Sequence, residues 1–271
     1  MALLDAKGVS VTYEHDDARV VAVNGVSFSI EPGEIVALVG ESGSGKSSLA
    51  LAITRLLASP PAILQAEHIR FEGVDLLRAS EETLRSIRGG RIAYVFQEPG
   101  TSLNPVLTIG EQLREMIELH TERRGRAADA LASEWLRRVG IPEAQARLSA
   151  YPHEFSGGMQ QRVMIAMAVA AQPSLLIADE PTTALDVTIQ VQILRLLRDL
   201  QQHLGLAVLL ISHDLTVVER LAHRVAIMLR GQLVEVGPVA QVFRSPSHPY
   251  TRELLACRSA VALRDMGPTH G

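Results

Sequence analysis

Cysteine is nearly missing from these 271 residues: Cys257 stands alone, which excludes an internal disulfide and a four-thiolate metal site. Long apolar runs are missing too. Leu206–Ile211 is among the longest, a strand-like length far short of the ~18 residues that read as a membrane helix. The opening Met1-Ala2-Leu3-Leu4-Asp5-Ala6-Lys7-Gly8 lacks the charged start and apolar middle of a secretory signal. Positive charge is not in excess: 26 Lys and Arg against 30 Asp and Glu leave a net charge of −4, giving no electrostatic case for nucleic acid. No internal repeat and no low-complexity segment occurs. The expectation is a soluble cytoplasmic chain of one large domain or two modest ones, with any membrane association supplied by a partner.

What the chain does have is strand-and-helix alternation. Leu3–Thr12 and Val20–Ile30 alternate with the period of half-covered strands, and Glu31-Pro32-Gly33-Glu34 turns the chain into the apolar run Ile35–Val39. Ser59-Pro60-Pro61 is a stop, and Ala66–Leu77 predicts a short strand-turn-strand piece. Ser80-Glu81-Glu82 is a helix start, and Arg91–Gln97 is a short strand broken by Glu98-Pro99-Gly100. From Ile109 to Leu148 apolar and charged residues recur at helical spacing, predicting a helical insertion closed by Tyr151-Pro152-His153. A helix over Met159–Gln172 follows, its apolar members Val163, Met164, Met167, Ala168 and Ala171 largely on one face. Then come the strand Leu175–Ala178, a helix over Thr188–His203, the strand Ala207–Ile211, and a β pair, Arg224–Leu229 with Gln232–Val236. This order predicts an α/β core with a mainly parallel sheet.

The chemistry centres on Gly40-Glu41-Ser42-Gly43-Ser44-Gly45-Lys46-Ser47, a G-x-x-x-x-G-K-[ST] motif between a buried-strand pattern and the helix-prone run from Ser48. Its glycines let successive N–H groups turn inward, and with the positive end of the next helix these make a cradle for a phosphate chain. Lys46 can reach the β- and γ-phosphates, and Ser47 can ligate Mg²⁺. Asp179 and Glu180 end an apolar strand, where the first can serve Mg²⁺ and the second can act as general base. A helix N-cap pair before Pro181 is the competing explanation. Gln97 and His213 also follow strands, at the edge where ligands sit in such sheets, although a lone His is more often a satisfied surface or core residue. Tyr13 can stack on a base or simply pack. Ser156-Gly157-Gly158 opens a helix and invites an anion, yet the triphosphate already has its place at Gly40–Ser47. A second phosphate-seeking helix end suggests a nucleotide bound elsewhere, such as on another subunit.

Taken in order, G-E-S-G-S-G-K-S, V-F-Q-E-P, F-S-G-G-M-Q-Q, L-L-I-A-D-E-P, A-L-D and S-H-D resemble the ATP-binding subunit of an ABC transporter, over nearly the whole chain. The resemblance implies a P-loop NTPase with a RecA-like core, an antiparallel β subdomain and a helical subdomain over about residues 98–165, within an ATPase domain at 1–240 followed by a tail at 241–271. It implies that Gln97 senses Mg²⁺ and the attacking water, and that Ser156, Gly157, Gly158 and Gln160 contact the γ-phosphate held by the opposite subunit. Asp186 would link the two sites, His213 would hold the γ-phosphate and the base, and Tyr13 would stack on adenine. ATP is then cradled by residues 40–48 with Mg²⁺ at Ser47, Gln97 and Asp179. The partners implied are a second ATPase subunit, two transmembrane permease subunits and an external solute-binding protein, with the chain peripheral on the cytoplasmic face of the cell membrane.

A narrower resemblance follows from Thr101-Ser102-Leu103-Asn104-Pro105, Tyr151-Pro152-His153-Glu154 and His248-Pro249-Tyr250-Thr251, which look like the di- and oligopeptide importers, a group shared with nickel and metal-chelate importers. Phe155 and Met159 depart from the generic Leu and Gln, as is frequent in this subgroup for Met. The cysteine cluster that many members carry is lacking, since only Cys257 precedes Gly271, and an iron–sulfur site is excluded on that reading. A soluble non-transport ATPase and a detached exporter ATPase are the alternatives.

Overall fold

The computed structural model describes residues 2–15, 18–97, 99–183 and 185–256. The chain opens with a long antiparallel hairpin, β1 (Leu4–His15) against β2 (Ala18–Ile30). Alternation sorts its faces: Leu4, Ala6, Val9 and Val11 are buried, as are Val23, Val26 and Ile30. Both strands run further than expected, to His15 and from Ala18, while Asp16 and Asp17 lie outside the described residues. Strand β3 (Ile35–Val39), buried at every position, leads through the phosphate loop into helix α1 (Lys46–Ile53).

Strands β4 (Ala62–Gln65), β5 (His68–Phe71) and β6 (Val74–Asp75) follow, then helix α2 (Glu81–Ile87), whose N-cap Ser80 accepts the Thr83 N–H as the acidic start suggested. Strand β4 is new: it pairs with β1 from Ser10↔Gln65 to Tyr13↔Ala62, and its four residues are too few to show a period. After β7 (Ile92–Val95) and the single turn α3 (Pro99–Ser102), the helical stretch resolves into α4 (Ile109–His120), α5 (Arg126–Arg138) and α6 (Ala144–Arg147). A capping box of Thr108 and Glu111 starts α4. A 3₁₀ turn at Pro152–Glu154 precedes α7 (Gly157–Val169).

Helix α7 corrects the expectation of a single apolar face. Ile165, Ala166 and Val169 are buried as fully as Val163, because α4 and α5 cover the helix on one side while β7 and helix α8 (Val187–Leu204) meet it on others. Strand β8 (Leu175–Asp179) precedes α8, and β9 (Ala207–Ile211) follows it. The described chain ends with α9 (Leu215–Leu221), β10 (Arg224–Leu229), β11 (Gln232–Pro238), α10 (Val239–Arg244) and a helical segment at 249–256.

Two sheets result. One has the order β11-β10-β3-β9-β8-β7, parallel throughout except for the edge strand β11. The other is antiparallel, β2-β1-β5-β6 with β4 also beside β1. One apolar core lies between the parallel sheet and helices α4, α5, α7 and α8; a second lies between the two sheets around α1. A third joins β3, β10, α9 and α10 to Tyr250 of the last segment, with Leu254 and Leu255 packed against it. Parallel pairing gathers the C-terminal ends of β3, β7, β8 and β9 at one edge, where the phosphate loop, Gln97, Asp179-Glu180 and His213 all emerge.

The turn before the last segment is tied to β11: Glu235 accepts the N–H groups of Ser247 at 2.8 Å and His248 at 3.1 Å. Burial pushes this carboxyl up, but the backbone donors oppose it and help bring it from an ordinary 4.5 down to about 2. A carboxyl lowered by folding contributes stability above its unfolded value and loses that contribution as pH falls through the folded one. Denaturant unfolding of Glu235→Gln beside the parent should show a stability gap at neutral pH that narrows below about pH 4.5 and closes near pH 2. A gap unchanged over that range would mean that the carboxylate's charge is not what ties the turn.

Candidate active site

A cavity of 660 Å³ opens at this sheet edge, lined by Ser42, Gly43, Gly45, Lys46, Ser47, Ser48, Gln97, Glu180 and His213, with Ala22 of β2. The loop's shape depends on glycine at two points of close approach. A Cβ on Gly45, at φ 101°, would stand 2.1 Å from the Ala22 carbonyl oxygen, and one on Gly40 would stand 2.2 Å from that of Met228. Gly40, Glu41 and Ser44 stand behind the lining. Lys46 Nζ donates to the carbonyl oxygens of Gly40 at 2.8 Å and Glu41 at 2.9 Å, with Ser44 Oγ at 3.5 Å. Burial pulls the Lys46 ammonium down from its ordinary range, while the Glu180 and Asp179 carboxylates act to raise it. The lysine thus lies folded onto its own loop, and a phosphate oxygen is a stronger acceptor than either carbonyl.

Opposite the loop, Glu180 Oε2 is a convergence point. Gln97 Nε2 donates to it at 3.2 Å, Thr183 Oγ1 donates at 2.8 Å, and His213 Nδ1 lies 3.3 Å away. Glu180 also takes a left-handed backbone, φ 47°, at the end of β8, a strain of roughly 1 kcal/mol that regular structure does not require. Its N–H donates to the Ile211 carbonyl at 3.0 Å, fixing the end of β8 to the end of β9. Asp179 sits one residue back and buried. Tyr94 Oη donates to its Oδ2 at 2.8 Å, while Oδ1 is buried with no hydrogen-bond partner. Burial and the adjacent carboxylate push the Tyr94 phenol far above its ordinary range, so it acts as a donor. A buried carboxylate with one satisfied and one open oxygen suits a cation or its hydration shell.

Tyr94 and Thr183 are the residues that sequence reasoning missed. Tyr94 lay in the recognised strand Arg91–Gln97, and no local signal announces that its hydroxyl meets an aspartate 85 positions on.

Other candidate residues stand apart from the cavity lining. Tyr13 is half-buried at its rim, its hydroxyl 3.1 Å from Ser48 Oγ. Ser156 caps α7, accepting the Met159 N–H at 3.4 Å, and Gln160 Nε2 donates to the Pro152 carbonyl at 2.8 Å. Gly158 has a packing reason, since a Cβ there would meet Ile189 Cγ2 at 2.6 Å; Gly157 has none as tight, its nearest contact being 3.9 Å. Ser156 and Gly157 are exposed. Asp186 caps α8, accepting the Ile189 N–H at 3.0 Å. Ala184 and Cys257 lie outside the described residues, as does the tail from residue 257.

The sequence profile of the ABC transporter family matches residues 23–183, more than half of the chain. The chain belongs to the ABC transporter family. Among solved structures, the ATP-binding cassette MJ0796, dimeric and bound to ADP and Pi, superimposes with a TM-score of 0.77 at 28% identity, covering 87% of this chain and 98% of that one. The fold is therefore that of an ABC cassette, a P-loop NTPase. The uncharacterized ABC transporter ATP-binding protein YejF of Escherichia coli is 54% identical over 253 residues, 93% of this chain and 48% of that protein. The oligopeptide transport ATP-binding protein OppD of Bacillus subtilis is 49% identical over 254 residues, 94% of this chain and 71% of that protein. A putative peptide import ATP-binding protein of Brucella melitensis is 52% identical over 268 residues, 97% of this cassette and 79% of that protein. The chain spans about half the length of the YejF relative. Among the described residues, no helix of the cassette is long and apolar enough to cross a membrane.

Proposed function

We propose that this chain is the ATP-hydrolysing subunit of a membrane importer for di- or oligopeptides. The observation that carries the reading is the Glu180 carboxylate, held by Gln97 and Thr183 and flanked by His213 at the mouth of a phosphate cradle. ATP enters with its β- and γ-phosphates against the N–H groups of residues 43–47, and Lys46 exchanges its loop carbonyls for phosphate oxygens. A water between Glu180 and the γ-phosphorus is oriented or deprotonated by the carboxylate. Its oxygen bonds to phosphorus as the bridging P–O bond to ADP breaks, releasing ADP and inorganic phosphate. Mg²⁺, when bound, supplies charge neutralisation to the phosphates; Ser47, Gln97 and Asp179, with its open Oδ1, are the residues suited to hold it. Tyr13, beside Ser48, serves the base end.

The exposed Ser156–Gly157 end of α7 lies apart from this cavity, which supports service to a nucleotide on a second cassette. The working unit is then a dimer with two ATPs between its subunits, the partner being the same or a related chain. The domain frame goes with this reading: an ATPase unit over 1–240, its helical part at about 98–165, and a tail at 241–271. The relatives' names point to peptide cargo, delivered by an external solute-binding protein. Two permease subunits hold the cassette at the cytoplasmic face of the membrane.

Support for that docking is an apolar groove of 550 Å³ beside Gln97, between the core and the helical stretch. Leu56 (42% exposed) and Phe96 (45% exposed) edge it, with Met116, Met164 and Met167 inside. An exposed apolar groove marks a contact site. The test is a pull-down of the tagged chain from detergent-solubilised membranes with MgATP, with Leu56→Glu beside it. The parent should bring down two polytopic membrane proteins, and Leu56→Glu should lose them while keeping basal hydrolysis. Ribosomal or nucleic-acid partners in their place would overturn the importer reading.

A further inference from the structure

The phosphate loop is held at a point that the hydrolysis chemistry does not use. Glu41 donates its backbone N–H, at 3.2 Å, to the phenol oxygen of Tyr250, 209 positions away in the helical segment 249–256. That N–H belongs to the peptide group whose carbonyl, Gly40 O, accepts Lys46 Nζ at 2.8 Å. One peptide plane is therefore gripped at both ends, by the catalytic ammonium on one side and the phenol on the other. Hydrogen bonds arranged in series through a peptide polarise and strengthen one another. The Met228 carbonyl of β10 passes close to the same point, since a Cβ on Gly40 would stand 2.2 Å from its oxygen.

Tyr250 is itself built in. The residue is 8% exposed within the third core, and its N–H donates to His248 Nδ1 at 3.2 Å. Glu235 fixes the turn immediately before it through the Ser247 and His248 N–H groups. When Lys46 leaves the Gly40 and Glu41 carbonyls for phosphate, the cationic grip on the plane is released and the phenol remains. A loop free to rotate there would present its N–H groups poorly to phosphate.

We propose that Tyr250 is a positioning residue for the phosphate loop, clamping the Gly40–Glu41 peptide so that the C-terminal segment sets nucleotide affinity. This inference rests on the reading that the cavity holds MgATP. Tyr250 touches no reacting atom, so its effect falls on binding and not on the chemical step. In the full chain, Tyr250→Phe keeps the ring and removes only the hydroxyl that accepts the Glu41 N–H. Titration with MgATP should show Kd raised about five-fold, the size of one neutral hydrogen bond, with KM rising in parallel and kcat nearly unchanged. Glu235→Gln, which loosens the segment from its far side, should raise Kd in the same direction. A Tyr250→Phe Kd less than about two-fold above the parent's, or a fall confined to kcat, would overturn the proposal and leave Tyr250 a packing residue. Parent and Lys46→Ala are titrated alongside: a parent that binds no MgATP would count against the cavity reading, and not against the clamp.

Discussion

Replacement of Glu180 by Gln should leave MgATP bound and cut hydrolysis about a thousand-fold, within the range that a general base contributes. The substitution keeps shape and length. Gln97 can turn its amide, and the Thr183 hydroxyl can rotate, so the contacts converging on Oε2 survive with donors and acceptors exchanged. What cannot survive is the lone-pair charge that orients a water and takes its proton. Binding and turnover should therefore separate: ATP affinity near the parent's, phosphate release nearly abolished. Because hydrolysis is what reopens a nucleotide sandwich in this reading, the variant should also run as a dimer on size exclusion with MgATP and as a monomer without it. Turnover within ten-fold of the parent, roughly 1.4 kcal/mol in barrier, would remove Glu180 from the role of base.

The left-handed backbone at Glu180 shows where sequence reading stops. The run Leu175–Asp179 announces a buried strand and its carboxylates, because apolar continuity and chain reversal are local properties. Nothing local says that Glu180 will take φ 47° or that Thr183 will turn back to it. The parallel sheet, the helical stretch and the loop were legible for the same local reason: each is a run or a spacing. The Tyr94–Asp179 and Tyr250–Glu41 bonds join positions brought together only by sheet order and core packing, and no periodicity carries them. Helix α7 illustrates the other limit. Its apolar pattern predicts one covered face, whereas α4, α5, β7 and α8 all pack against it, and a helix covered on several sides has little polar surface to betray its orientation. Strand β4 fell between the two limits, too short to alternate and recognisable only through its partner β1.

Lys46→Ala should be the more severe loss for binding. Lys46 is 6% exposed and its ammonium donates to two loop carbonyls, so its charge also helps to hold the shape of the cradle. Truncation removes the cation that meets the phosphates and leaves both carbonyls without that donor. Charge-assisted bonds of this kind contribute about 1.5–3 kcal/mol each, so the loss of two predicts ATP binding weakened at least about a hundred-fold. Lys46→Arg should not restore it, because a planar five-donor fork does not fit a pocket shaped for a compact ammonium. Thermal unfolding separates this effect from damage to the fold. Saturating ligand stabilises a native state in proportion to RT ln(1 + [L]/Kd), so the parent's Tm should climb when MgATP is added. The Lys46→Ala protein should unfold within a few degrees of the nucleotide-free parent and show no such climb. A full MgATP-induced rise in Tm would mean that phosphate recognition rests on the backbone N–H groups and the helix end alone, with the lysine serving only to brace its own loop.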